Sequence, residues 1–418
     1  MAQPTETKGF ILLALFTIAL TTGCKLLPFP PNTPSNTFSS AAPASSLEGV
    51  PALSSLGAKG NQIISNHTGS VLDIREIATD PFRVLSVGSS GEVIVWDVQT
   101  GAARLVYNLP SNPITATFAQ HKALIAYSSG NTITVTCLQD CSSEWKLTSI
   151  KARVASLAFH DSDESLIIGG TDGRIYRWRY IFETTASDAR EREKAVERYL
   201  GHQTLISTVA SLPVGRAFFS ADWDGNLLGW LPYTADDYGG EYDKNIFGGK
   251  FFGQAASMMR AARKQDRGIS SLSITPDASR VIVGTEDGAI EVWNVRGFNL
   301  AARSRIHSGR VVSVTSNRDG SLIASVGRDG FVDVQTPEPD PLYRIGAEAL
   351  THTLRSIAHE KVDGVKSALL LSNETLLITT AKGGIGELNF ARSAPRPAAA
   401  PTMPPTTVLE RIEKDSDY

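Results

Sequence analysis

The sequence predicts an all-β fold: a seven-bladed β-propeller of four-stranded antiparallel blades, with small helical insertions. Three observations predict it. A pattern of strand, polar turn, strand, Gly-containing turn and strand recurs seven times between about residues 60 and 390. The third strand of each copy ends at an equivalent position, most often Trp. Those positions lie 40–42 residues apart wherever no insertion intervenes. Composition agrees, since 35 Gly and 21 Pro in 418 residues call for many tight turns and favour short strands over long helices.

The clearest copies end SSGEVIVWD at Asp97, TDGRIYRWR at Arg179, DWDGNLLGW at Trp230 and EDGAIEVWN at Asn294. RDGFVDVQT carries Gln335 in the Trp place, AKGGIGELN carries Leu388, and SGNTITVTC carries Thr136. Trp96 to Thr136 is 40 residues, and Thr136 to Trp178 and Trp293 to Gln335 are each 42. The spacing is that of four-stranded blades of about 40–45 residues. Trp178 to Trp230 is 52, Trp230 to Trp293 is 63 and Gln335 to Leu388 is 53, which places an insertion in each.

These copies resemble WD repeats. In that family a blade is tied by His before the first strand, Ser or Thr on the second, Asp in the next turn and Trp on the third. The fourth copy carries His202, Ser220, Asp224 and Trp230. The sixth carries His307, Ser325 and Asp329. The first carries His67, Ser86 and Trp96, with Ser90 in the Asp place. Trp178, Asp287 and Trp293 are what the third and fifth copies retain. The resemblance implies that these polar residues are structural, each supplying another's hydrogen-bond partner. The last copy lacks an outer strand. Residues 54–65 precede the first copy and are expected to supply it, closing the ring and removing an open sheet edge.

The domain reading is a signal peptide at 1–23, a lipidated Cys24 with a Pro/Ser-rich tether to residue 53, a propeller at 54–392 and a Pro-rich tail at 393–418. Residues 9–22 are apolar apart from threonines, about the length of a signal-peptide core and short for a bilayer span. Gly23-Cys24 follows and resembles the lipobox of bacterial lipoproteins, in which the cysteine becomes the lipid-bearing N-terminus. Thr21 stands where that family prefers Leu. An ordinary signal peptide or a short uncleaved anchor fits the same run. Residues 25–52 have no apolar period, and as a flexible coil they reach about 30 Å. Lys25 stands after the cysteine where Asp would signal inner-membrane retention in enterobacteria. The resemblance therefore implies the outer membrane, facing the periplasm.

Two insertions and one cysteine pair stand out. Residues 183–198 are a charged stretch with helical spacing. Residues 233–268 begin as an acidic-aromatic loop. They continue as KFFGQAASMMRAARKQDR, read as a short amphipathic helix that closure of the ring does not need. Its Lys250, Phe251, Phe252, Met258, Met259, Arg260, Arg263 and Lys264 form a candidate contact surface for a membrane or an acidic partner. Packing of its Phe and Met against the blade is the alternative. Cys137 and Cys141 flank a short turn and are disulfide candidates in an oxidising compartment. So small a loop contributes about 2 kcal/mol at most. A free pair is the alternative.

The chemistry that is missing decides the functional expectation. The chain holds no HExxH, P-loop or GxSxG motif, so no metal, cofactor or catalytic residue is assigned. A net charge of -3 argues against nucleic acid as a partner. Asp161, Asp163 and Glu164 read as a solvated acidic turn or a weak cation site. The expected function is a non-enzymatic protein-interaction scaffold in the cell envelope. It is expected to be a monomeric propeller within a larger complex, bound to the membrane through the lipid on Cys24. An envelope-assembly or chaperone-like propeller is the alternative, and a hydrolase using His202 is a third reading.

Overall fold

The computed structural model describes residues 54–388 except 56–63, 66, 78–79, 101, 139–142, 161, 182–194, 214–215, 233–255, 263–266, 318–319, 340–351 and 372–374. The apolar N-terminal run, Cys24, the tether and the tail lie outside the described residues.

The strands form seven sheets. Blade 1 shows the plan: Val71–Ile77, Asp80–Gly88, Glu92–Asp97 and Ala103–Asn108 pair antiparallel in chain order. Blades 2 to 6 repeat it from first strands Thr115–Phe118, Val154–His160, Ile206–Ser211, Ile269–Ile274 and Val311–Ser316. Blade 7 starts at Val365–Leu370. First strands of neighbouring blades adjoin, so they line the axis. Second strands such as Ser165–Gly170 and Arg280–Thr285 read as nearly continuous apolar runs. They are buried on both faces because each sheet is sandwiched between two others.

Seven clusters of buried side chains fill the seven gaps between blades. Each Trp at the aligned position packs into the gap towards the preceding blade. Trp96 meets Leu371, Leu377 and Ile385 of blade 7. Trp178 shares its cluster with Ala126 and Val135 of blade 2, and Trp230 with Ile167 and Ile175 of blade 3. Trp293 shares its cluster with Ala217 and Leu227 of blade 4. Truncating such a side chain costs about 3–5 kcal/mol. All seven aligned positions occupy one rung of the ladder: Trp96, Thr136, Trp178, Trp230, Trp293, Gln335 and Leu388 sit opposite Val84, Ile125, Leu166, Phe218, Val281, Ile323 and Leu376.

The N-terminal segment closes the ring as expected. Ser54–Ser55 runs parallel to, and Ile64–Ser65 antiparallel to, the last strand, Gly384–Leu388. A second device ties blade to blade at the axis. Six of the seven first strands carry a register shift near their start. In four of them the residue after it aims its side chain at the next blade. Asp73, Ser156, Ser271 and Ser313 accept the backbone N–H of Phe118, Val209, Val314 and Ala368 at 3.1, 3.1, 3.1 and 3.4 Å.

Two expectations change. The sequence read as helical over 183–198 ends in a strand, Val196–Leu200, and 182–194 lies outside the described residues. The stretch read as an amphipathic helix contains the strand Ala256–Ala262, the fourth of blade 4, paired with Leu227–Pro232. Ala and Met favour helix locally, but the free edge of the Trp230 strand offers a full ladder of backbone partners, and that edge wins. The blade therefore does need part of this insertion. The long intervals all arise between third and fourth strands, at 179–195, 233–255 and 340–351.

In the acidic turn Glu164 is solvated, Asp161 lies outside the described residues, and Asp163 departs from the expectation. Asp163 is buried, with φ of +61°, and its carboxylate accepts the N–H groups of Gln120 at 3.0 Å, Lys122 at 3.0 Å and His121, all in the equivalent turn of blade 2. Three backbone N–H groups thus occupy this carboxylate. On the next interface His160 Nδ1 meets Ser211 Oγ at 2.7 Å. Burial, reinforced by the Arg177 and Arg216 charges, depresses this imidazole to about 3. An unfolded His titrates near 6.5, so between these values the unfolded chain binds more protons. The contribution of His160 is therefore complete above about pH 6.5 and is lost as pH falls towards 3. We expect His160→Gln, which keeps a partner for Ser211, to flatten the loss of urea stability between pH 7 and 4. Parallel curves for variant and parent would contradict this.

Candidate functional site

The polar residues singled out by the repeat converge in blade 4. His202 Nε2 lies 2.7 Å from Ser220 Oγ, His202 Nδ1 lies 2.7 Å from Asp222 Oδ2, and Trp230 Nε1 donates to Ser220 Oγ at 2.7 Å. One assignment of hydrogens gives each a single acceptor. The indole N–H points to Ser220, the Ser220 hydroxyl to His202 Nε2, and the His202 Nδ1–H to Asp222. Asp222 also accepts the N–H groups of Asp224 at 3.1 Å and Asn226 at 2.8 Å, and the Asn226 amide at 2.8 Å. Burial works against its charge, but the hydrogen bonds from His202 and Asn226 outweigh it and hold the carboxyl below the usual range.

The carboxylate is not the one expected. Asp224 is exposed, and Asp222 takes its place. The ladder explains this. Asp222 stands where blades 1 and 6 carry Gly88 and Gly327. A Cβ at those glycines would lie 2.6 Å from His67 Nδ1 and 2.2 Å from His307 Nδ1. Here an acid already fills that space and reaches the imidazole directly. In blade 6 the acid comes from the turn as expected, with Asp329 Oδ1 3.2 Å from His307 Nδ1, and Ser325 Oγ 2.9 Å from Nε2. In blade 1 His67 Nε2 meets Ser86 Oγ at 2.8 Å, and Trp96 donates to Ser86 at 2.7 Å. The acid is Glu92, not the Ser90 place: its Oε2 lies 3.6 Å from His67 Nδ1, while Ser90 and Thr68 donate to it. Positions two, four and six residues after the Ser thus deliver a carboxylate to one point.

Positions that lack the His or the Trp improvise. Trp293 donates to Glu291 at 3.1 Å, and Arg303 pairs with Glu291 at 3.4 Å. Asp287 takes the Thr285 hydroxyl at 2.6 Å and faces Arg267 at 3.7 Å. Gln335 donates across to Ser304 of blade 5 at 3.4 Å. Trp178 is fully buried against Tyr180.

The blade 4 network has the distances of a nucleophile, base and carboxylate relay. Its side chains are sealed: His202 and Asp222 have no exposed side-chain surface, and Ser220 is fully buried. The Ser220 oxygen already holds the indole N–H, so no substrate atom can reach it without opening the blade. Among the described residues no group of His, Cys, Asp and Glu could hold a metal ion.

Of the candidate contact residues, Met258, Met259 and Arg260 lie on the outer strand of blade 4, with Met258 opposite Trp230 and Arg260 opposite Gly229. Lys250, Phe251, Phe252, Arg263 and Lys264 lie outside the described residues. Cys137 ends the third strand of blade 2 and is disulfide-bonded, and Cys141 lies outside the described residues.

Sequence reasoning missed the exposed apolar surface. Large hydrophobic side chains exposed among the described residues are Phe82, Ile114, Leu200, Leu205 and Trp223. All but Phe82 sit where fourth strands lead into first strands or where second strands turn into third ones, on one face of the ring. The insertions and the cysteine turn join third to fourth strands on the opposite face. No periodicity marks single loop residues, so only the fold brings them together.

Residues 261–294 match the family model described as WD domain, G-beta repeat. They run from the fourth strand of blade 4 through the third of blade 5. The fold is that of a WD-repeat propeller. The solved WD40 repeats of RRP9 superpose with a TM-score of 0.55 at 15% identity, covering 79% of this chain and 92% of that one. The WD40 β-propeller domain of Doa1 gives 0.54 at 15%, covering 80% and 96%. In sequence, eukaryotic translation initiation factor 3 subunit I of Drosophila willistoni is 23% identical over 297 residues, 65% of this chain and 82% of that protein. The Drosophila mojavensis protein of the same name is 23% identical over 269 residues, 58% and 74%.

The WD-repeat network makes a sharp contrast between two neighbouring acids. Asp222→Ala strands four donors in a buried site and should lower urea stability by about 3 kcal/mol. Asp224→Ala removes an exposed carboxylate and should stay within about 0.5 kcal/mol of the parent. Equal losses would contradict the assignment.

Proposed function

We propose that this propeller is a protein-interaction scaffold in the cell envelope, held by a lipid on Cys24 and acting within a larger complex. The observation that carries the scaffold reading is the fate of the polar residues. The His, Ser and acid side chains that resemble catalytic groups are saturated inside the blades. The chemistry left for solvent is a broad loop face carrying apolar side chains and arginines. The relatives support work inside an assembly, since their printed name makes them subunits of an initiation factor. They share the propeller region and say nothing about a membrane.

The envelope part rests on the N-terminus and on redox chemistry. A short apolar run ending at Gly23-Cys24 fits lipid attachment, and Lys25 fits the outer membrane with the ring facing the periplasm. A disulfide at Cys137 fits an oxidising compartment, and Cys141 is the partner we propose for it. Two acyl chains or more give stable anchoring, where one is marginal.

Mass spectrometry of the mature N-terminus should find diacylglycerol on Cys24, and Cys24→Ala should move the protein to the soluble envelope fraction. Membrane retention by that variant would overturn the lipid anchor. Crosslinking and affinity purification from detergent-solubilised envelope should return a reproducible set of proteins. Recovery of none across several growth conditions would overturn the scaffold.

A further inference from the structure

The residue before each first strand and the first residue of the turn between second and third strands form a pair on the exposed face. The first accepts the N–H of the second in six blades: Ser70 from Ser89 at 2.9 Å, Arg153 from Thr171 at 3.0 Å, Leu205 from Trp223 at 3.4 Å, Gly268 from Glu286 at 2.9 Å, Arg310 from Arg328 at 2.8 Å and Gly364 from Ala381 at 3.0 Å. These pairs ring the axis. Their side chains are not alike around the ring, and the unlike sector spans blades 3 to 6.

Blade 4 contributes Leu205 and Trp223, which are 38% and 37% exposed. Leu200 at the end of blade 3 is 71% exposed, and Ile114 on blade 2 is 51% exposed. Blade 5 contributes Gly268, where a Cβ would lie 2.5 Å from the Trp223 carbonyl oxygen. With no side chain there, Arg310 reaches over from blade 6. Its guanidinium sits 4.7 Å from the Trp223 ring centroid, and its Nε is 3.2 Å from Glu286. Cation–π contact and ion pair together fix the Trp223 ring before anything binds. An anchor fixed in advance costs less ordering entropy on binding, and Trp and Arg are the side chains that most often dominate interfaces.

Charge selects the partner. Arg153 and Arg328 are exposed at this rim; of the acids in the same turns, Asp172 is paired with Arg174, Glu286 with Arg310, Asp287 with Arg267 and Asp329 with His307, which leaves Asp224 as the exposed acid facing them. The chain as a whole carries -3, so the positive sector is local. Aliphatic neighbours select against nucleic acid. Base-stacking surfaces use successive aromatic rings, whereas in this sector one exposed indole is accompanied by Leu205 and Leu200.

We propose that the rim of blades 3 to 6 binds an acidic peptide segment of a partner protein. A large apolar side chain of that segment seats on Leu205 and Trp223, and its carboxylates meet Arg153, Arg310 and Arg328. This deepens the scaffold reading and rests on it.

The test uses the full chain in detergent as bait for a random peptide display library. Selected peptides should combine Asp or Glu with Trp, Phe or Leu. Synthetic versions should shift the emission of the exposed Trp223 to the blue. Trp223→Ala and Arg310→Glu should each weaken binding at least about tenfold, with melting temperatures near the parent's, and Trp223→Phe should keep binding while losing the emission shift. A basic or absent consensus would overturn the proposal, as would peptides that bind Trp223→Ala as well as the parent. A fluorescein-labelled oligothymidine measured in parallel should not bind; binding that is lost in Trp223→Ala would assign the rim to nucleic acid instead. If crosslinking still returns a partner set that Trp223→Ala leaves unchanged, the scaffold stands and this surface does not.

Discussion

Everything in this molecule depends on the fourth sheet position of blade 7. A blade buries both faces against its neighbours, so no sheet can be covered unless the circle is complete. The chain ends its last repeat after three strands, and the missing edge is supplied from its own beginning by Ser54–Ser55 and Ile64–Ser65. Blade 7 then presents Leu371, Leu377 and Ile385 to Trp96, Val71 and Ile74, and the cluster between blades 7 and 1 equals the other six in kind. Closure joins residues 296 apart in sequence in the bond from Lys366 to Ser70 at 3.0 Å. Its entropic cost is met by seven interfaces acting together.

Within the closed ring, polar side chains do the work of alignment. The Trp–Ser–His–acid chain links the third strand, the second strand, the entry loop and the turn of one blade. The residues after the register shifts link one first strand to the next. Asp163 links two turns on the far side. Each is buried or half-buried and each has its partners, which is why substituting any of them is expected to be felt as stability. The same saturation separates structure from function: what is consumed inside the blades cannot serve a ligand, and what stays exposed on the loop face can.

The repeat was legible because a buried strand reads as an apolar run and because the Trp position recurs at fixed spacing. Even Thr136, Gln335 and Leu388, which share no chemistry with Trp, fall on its rung. The acid was not legible to the same degree. Spacing pointed to Asp224 and the Ser90 place, yet the imidazole accepts a carboxylate from any backbone position that brings one to Nδ1. Asp222 and Glu92 do so because side-chain length compensates for position. The outer strand Ala256–Ala262 was hidden by composition, since ASMMRAA favours helix until an unpaired strand edge lies beside it. The rim around Trp223 was invisible for a different reason. It is assembled from loops of different blades, and no local pattern encodes which loops share a face.

Hydrogen exchange on the full chain tests closure most directly. If residues 54–65 complete blade 7, amides of Gly384–Leu388 will exchange as slowly as those of the corresponding third strands Glu92–Asp97 and Ala289–Asn294. Exchange of Gly384–Leu388 within seconds, while the other third strands stay protected, would mean an open ring and would contradict the account.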